Sequence, residues 1–178
     1  MRWKFFLAWV AMLSSGLAQP VRMPNVEEQR AAMKQLSFLV GRWSGKARMQ
    51  RGQGGVLELA QTENAQYKLD GLVLLIEGTG RTLSDGKAAL QALATISYDD
   101  EAKVYRMRAH NDGRYMESEV RLAEGGKGLA WGFTIGQIKT SSVQAIDEKG
   151  EWTEVAEIAI GAQPPRKFLE LTVRREAP

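Results

Sequence analysis

The sequence predicts an all-β fold: an antiparallel up-and-down barrel of about ten strands, with a short N-terminal helix packed outside it or capping it. From Gly41 onward apolar and polar residues alternate with the period of two that marks half-buried strands. Turn chemistry recurs at short, even intervals, and no helical pattern lies between the turns. Short connections impose antiparallel neighbours, and closure into a barrel removes the exposed sheet edges. A two-sheet sandwich is the competing architecture.

Each segment has a local reason. MRWKFFLAWVAMLSSGLA, residues 1–18, has the charged start, short apolar stretch and small terminal residues of a secretory signal peptide. This predicts export, to a periplasm or the exterior, with no membrane span in the mature chain. Residues 19–25 are a polar lead-in, and residues 26–178 form one domain. Asn25 caps a helix that runs to about Leu36, with Glu28 three residues on in a variant of the capping box. Met33, Leu36 and Val40 give that helix one apolar stripe.

The first strand, GRWSGKARMQ, sets Trp43, Gly45, Ala47 and Met49 on one face and Ser44, Lys46, Arg48 and Gln50 on the other. Further strands are expected at 56–69, 72–79, 88–98, 104–110, 114–122, 128–135, 137–146, 152–160 and 166–174. Gly54-Gly55, Asp70-Gly71, Ser84-Asp85-Gly86, Asp99-Asp100, Asp112-Gly113, Gly125-Gly126, Gly150 and Pro164-Pro165 mark the turns. GLVLLIEG, residues 71–78, is apolar on both faces, so the helix or a second subunit should cover its outside; a homodimer is one outcome.

Charge pairing sets the register of the central hairpins. With Asp112-Gly113 at the centre of a two-residue turn, His110 faces Tyr115, Arg108 faces Glu117 and Arg106 faces Glu119. Ala109 then faces Met116 and Met107 faces Ser118. Pairing Tyr98 with Tyr105 sets Ile96 beside Met107 and Ala94 beside Ala109. A Gly125-Gly126 turn sets Leu122 by Leu129, Val120 by Trp131 and Ser118 by Phe133.

These registers give one continuous inner face. Its candidate ligand-binding residues are Trp43, Met49, Ala94, Ile96, Tyr105, Met107, Ala109, Met116, Ser118, Trp131 and Phe133. Alanines leave room, aromatics form walls and methionines adapt to irregular contents. A ring of ten strands is wide enough to hold a small ligand. The face is nearly uncharged, so an apolar molecule is the expected content. The opposite parity would place Arg106, Arg108 and His110 inside, with Glu117 and Glu119, as an enzymatic or anion-binding interior; the desolvation cost of five ionisable groups opposes it.

Composition narrows the classes further. The 24 basic residues face 21 acidic ones, and loss of Arg2 and Lys4 with the leader brings the net charge near +1. No basic run suggests a nucleic-acid partner. The absence of cysteine removes thiol catalysis, disulfides and cysteine-zinc sites. A single histidine, His110, cannot build a histidine metal cluster, and no phosphate loop, GxSxG or HExxH sequence occurs. Asp99-Asp100-Glu101 and Glu27-Glu28 read as solvated surface.

LSFLVGRWSG, residues 36–45, resembles the helix-to-strand Gly-x-Trp signature of lipocalins and fatty-acid-binding proteins, with Gly41 and Trp43 in the matching places. The resemblance implies that an arginine late in the barrel closes its base on the tryptophan, here Arg174 or Arg175. FLVGRWSGKA, ATISYDD and RAHNDGRYMESEV are similar to a bacterial family of exported domains of unknown function, related to nitrobindin-type ten-stranded barrels, over most of residues 30–175. Nitrobindins hold haem iron through a histidine late in the barrel. EWTEVAEIAI and RKFLELTVRR contain none, so haem is not carried over and no cofactor is expected. The resemblance thus implies an exported calycin-like barrel and specifies no reaction.

Overall fold

The computed structural model describes residues 22–52 and 55–177, so the expected leader at 1–18 lies outside the described residues. A helix, α1 (Val26–Lys34), precedes a single 3-10 turn at Ser37–Leu39. Eleven antiparallel strands follow: β1 (Gly41–Gln50), β2 (Val56–Lys68), β3 (Val73–Thr82), β4 (Ala88–Asp99), β5 (Val104–Asn111), β6 (Arg114–Leu122), β7 (Gly128–Trp131), β8 (Thr134–Ile135), β9 (Ile138–Ile146), β10 (Trp152–Ile160) and β11 (Arg166–Arg175). Each pairs with the next along the chain, except that β7 skips β8 and pairs with β9, and β1 pairs with β11. The ring therefore closes on ten strands, with β8 a short hairpin arm on β9. Among the described residues no helix is long and apolar enough to cross a membrane.

The central registers follow the charge pattern. Arg108 faces Glu117, Arg106 faces Glu119 and His110 faces Tyr115. Asp112 and Gly113 have φ of 46° and 80°, the left-handed pair that a two-residue turn between right-twisted strands requires. Tyr98 faces Tyr105, Ile96 faces Met107 and Ala94 faces Ala109.

One expected strand is broken. Residues 128–135 divide into β7 and β8, and β6 pairs with β7 only at Arg121–Ala130 and Leu122–Leu129. The ladder pairs Val120–Trp131 and Ser118–Phe133 do not form. The Ser118 hydroxyl instead donates to the Gly132 carbonyl at 2.8 Å, and the Phe133 N–H turns to Thr140. A side chain thus replaces the missing backbone partner of Gly132.

The up-and-down topology sends alternate hairpins to opposite ends. Turns at 83–87, 112–113, 136–137 and 161–165 surround one end, and those at 69–72, 100–103, 123–127 and 147–151 surround the other. The helix plugs the second end instead of covering the outside of β3, where Val73 and Leu75 stay partly exposed. Helical geometry stops at Lys34, short of Leu36, but Met33 and Leu36 are fully buried as the stripe predicts. Asn25 caps the helix by accepting the Glu28 N–H at 3.1 Å.

Several bonds fasten this plug. The Tyr105 hydroxyl donates to the Ala32 carbonyl at 2.7 Å, and Tyr67 donates to the Met33 carbonyl at 2.6 Å. Asp100 is buried, contrary to the expectation of a solvated acidic turn. It accepts the Asn25 N–H at 2.9 Å, the Gln29 amide at 2.7 Å and Arg22 at 3.0 Å. The Asn25 N–H above all, then Gln29, hold its carboxyl below the usual range. That stabilisation is present once Asp100 is ionised and is lost as acid protonates it in the folded state.

Tyr105→Phe removes one clamp and leaves the Ala32 carbonyl without its donor. The expected cost is about 1 kcal/mol in urea unfolding, with faster amide exchange across residues 26–36.

Arg175 closes the same end. Its guanidinium carbon lies 4.1 Å from the Trp43 ring centroid, and it donates to the carbonyls of Phe38 (2.8 Å) and Val40. Arg174, the other candidate, faces outward and pairs with Glu151. Gly41 makes the closure possible, since a Cβ there would stand 2.5 Å from an Arg175 nitrogen.

Candidate functional site

With one end plugged, the open end leads to a cavity of about 560 Å³ inside the barrel. Met49, Ala94, Met107 and Ala109 line it from β1, β4 and β5; Met116, Trp131 and Phe133 line it from β6 and the broken β7–β8 strand. These are the wall residues expected from the register. The other four candidates do not border the cavity. Trp43 and Ile96 are fully buried in the packed half, Tyr105 is committed to the helix, and Ser118 to Gly132.

The β7–β8 break shapes the mouth. Phe133 and Ile135, beside it, line the cavity together with Leu90 of β4 and Phe168 of β11. His110, Asn111 and Arg114 stand at the rim, around the 112–113 turn. His110 itself is exposed, with its ring centroid 5.3 Å from that of Tyr115. Arg106 and Arg108 point to solvent and pair with Asp99, Glu119 and Glu117. The parity that would bury these three residues is therefore not adopted.

The floor departs from the expected apolar lining. Glu63 and Glu154 both reach the cavity, with Ser142, Gln144 and Trp152 beside them. Glu63 lies on β2 between Trp43 of β1 and Gly78 of β3. Glu154 lies on β10 between Gln144 of β9 and Leu171 of β11. Gln61, two residues before Glu63 on the same face, donates to its carboxylate at 2.7 Å. Glycines make the space: a Cβ on Gly78 would stand 2.8 Å from a Glu63 carboxylate oxygen, and one on Gly80 2.6 Å from the Gln61 side-chain oxygen.

Burial dominates the electrostatics. Desolvation pushes Glu63 up to about 8, against the opposing pull of the Gln61 amide, and the nearby Glu154 carboxyl adds to the rise. Desolvation likewise pushes Glu154 up to about 7, opposed by the Ser142 hydroxyl. Glu154 is touched by the cavity space yet lies deep among protein atoms, so it is desolvated without being sealed off.

Polar groups around the acids are short of partners. Gln144 and Trp152 are each 2% exposed, and among the described residues neither the Gln144 amide nitrogen nor the Trp152 indole N–H has a hydrogen-bond acceptor and the Gln61 side-chain oxygen has no donor. Trp152 stacks edge-on against Trp43 at 5.5 Å, so the two rings separate the floor from the helix plug. Among the described residues no group of three or more His, Cys, Asp or Glu is placed to hold a metal ion.

The sequence carried a signal for this floor. Leu57, Leu59, Gln61, Glu63, Ala65 and Tyr67 share one parity, so two polar residues stand in an otherwise inward row. In the row Trp152, Glu154, Ala156 and Ile158 a single polar residue, Glu154, stands out in the same way. Reading parity through β2 and β10 finds both acids, whereas the turn-based registers reached only β4 to β7.

No family model matches the chain, and no curated protein matches it in sequence. Among solved structures, the crystal structure of Rv2717c from M. tuberculosis is similar, with a TM-score of 0.66 and 13% identity, covering 82% of this chain and 98% of that one. At that identity the likeness shows the fold alone: this chain has the closed antiparallel barrel of that protein.

Proposed function

We propose that this chain is an exported binding protein that holds a small, largely apolar molecule inside its barrel. The cavity carries this reading: about 560 Å³, open at one end, walled by methionines, alanines and aromatic rings. Small-molecule sites commonly occupy roughly 300–1,000 Å³ and combine apolar walls with a few polar groups. The leader-like start and the resemblance of FLVGRWSGKA and RAHNDGRYMESEV to exported calycin-like domains support the setting. Paired surface charges on the Arg106/Arg108 face give no support to chemistry there.

The test is binding of the neutral dye Nile red by the purified mature protein. Its fluorescence should rise and shift to the blue. Ala109→Trp, which projects a large ring into the cavity, should weaken binding by about tenfold or more, while His110→Ala leaves it nearly unchanged. Dye binding that is absent, or indifferent to Ala109→Trp, sinks the reading. A Soret band in the purified protein would replace it with a haem protein.

A further inference from the structure

The polar floor is built at a cost that the packing of the barrel does not explain. An interior needs only apolar side chains to be filled, and buried acids oppose folding unless something compensates them. Neither Glu63 nor Glu154 has a cationic partner among the described residues. The inward residues flanking them are Trp43, Gly78, Gln144 and Leu171, none of which titrates between acid and neutral pH. The other titratable groups on the cavity, His110 and Arg114, stand at the rim, beside the far turn. The floor thus holds two acids without a counter-charge, and the wall above it is apolar.

The geometry points to a ligand with a protonated amine head, seated between Glu63 and Glu154, and an apolar body extending toward Met116 and Phe133. This rests on the binding reading above and names the chemical class it takes. An ammonium group supplies the missing counter-charge to both carboxylates in a desolvated setting, where charge-assisted hydrogen bonds are strong. The unpartnered Gln61 oxygen stands beside Glu63 as a further acceptor. The free N–H groups of Gln144 and Trp152 suit a hydroxyl or carbonyl oxygen near the amine. A carboxylate head is disfavoured, since an anion supplies no counter-charge and opposes ionisation of the two acids.

Proton balance gives the proposal a second readout. Near neutral pH the raised affinity of the two acids for protons keeps them partly protonated. An arriving ammonium favours their ionised form, so binding releases protons to the buffer.

Calorimetric titrations of the full mature protein with octylamine, octanol and octanoate at about pH 7 test this. Octylamine is expected to bind about tenfold or more tightly than octanol, and octanoate most weakly. Octylamine heats should depend on the ionisation enthalpy of the buffer, in the sense of proton release. In the isosteric double variant Glu63→Gln/Glu154→Gln the amine preference and the proton release should vanish while octanol still binds. Octanol binding as well as octylamine, or an amine preference that survives in the double variant, overturns the amine assignment and leaves the apolar binding reading standing. Failure of all three probes to bind overturns both.

Discussion

Replacing Glu63 by Gln is expected to weaken the fall of stability between about pH 5 and 8, most completely above pH 7, where Glu154 no longer contributes. In the wild-type protein the folded-state value of about 8 stands above the ordinary 4.5. Below 4.5 the folded and unfolded chains both hold the proton, and burial of the neutral acid costs least. Between the two values the unfolded chain has released its proton and the folded chain has not, so stability falls as pH rises. Above 8 both have released it and the loss is complete. Each unit of displacement corresponds to about 1.4 kcal/mol, so the whole loss is on the order of 3–5 kcal/mol. Glu154 has the same sign, with a window that closes at about 7. Asp100, whose value is lowered, has the opposite sign and acts only in acid. Urea unfolding at stepped pH should therefore show wild-type midpoints falling toward alkaline pH, with a shallower fall in Glu63→Gln that ends near pH 7, where Glu154 titrates. A wild-type curve flat across this range would mean that Glu63 is solvated in the folded protein. The same substitution removes one arm of the proposed amine site, so stability gained at high pH and amine affinity lost should appear together in one variant.

Trp43→Ala should destabilise the barrel by about 3–5 kcal/mol, the range for deleting a buried large aromatic. Trp43 is 1% exposed and joins three parts of the closed end. Its indole N–H donates to the Leu39 carbonyl at 2.8 Å, its face carries Arg175, and its edge meets Trp152. Alanine would leave a void between the helix plug and the cavity floor, an unpaired Leu39 carbonyl and a guanidinium without its ring. Trp43→Phe keeps most of the packing and loses the hydrogen bond, so it should fall well short of that cost. Chemical denaturation of both variants checks this; a loss under about 1 kcal/mol for alanine would show that the closed end repacks freely. Because the floor rests on the Trp43–Trp152 pair, Nile red binding should weaken in Trp43→Ala even in urea-free buffer where the protein remains folded.

How far the site was legible follows the range of the signals. Asp112-Gly113 fixed one hairpin register through its own backbone preference, and Arg106 and Arg108 confirmed it through partners only nine to thirteen residues away. That was enough to aim Met107, Ala109 and Met116 at the interior. The next hairpin misled in its second half, because the Ser118 hydroxyl captures Gly132 and ends the ladder. No periodicity announces such a side-chain substitution. Trp43 was recognised as a closure residue, but choosing Arg175 over Arg174 required knowing which face of β11 turns toward β1.

The sequence by itself determined the elements and their order: a capped helix, strands of period two, and turns short enough to force antiparallel neighbours. These are local properties, written in adjacent residues. Only the tertiary structure decided what the barrel encloses. Glu63 and Glu154 are 91 positions apart and belong to strands that never pair, and they share one floor because β1 meets β11 and closes the ring. Closure converts two isolated polar residues on inward rows into a desolvated pair beneath an apolar wall, and desolvation is a property of the enclosure that no stretch of sequence contains.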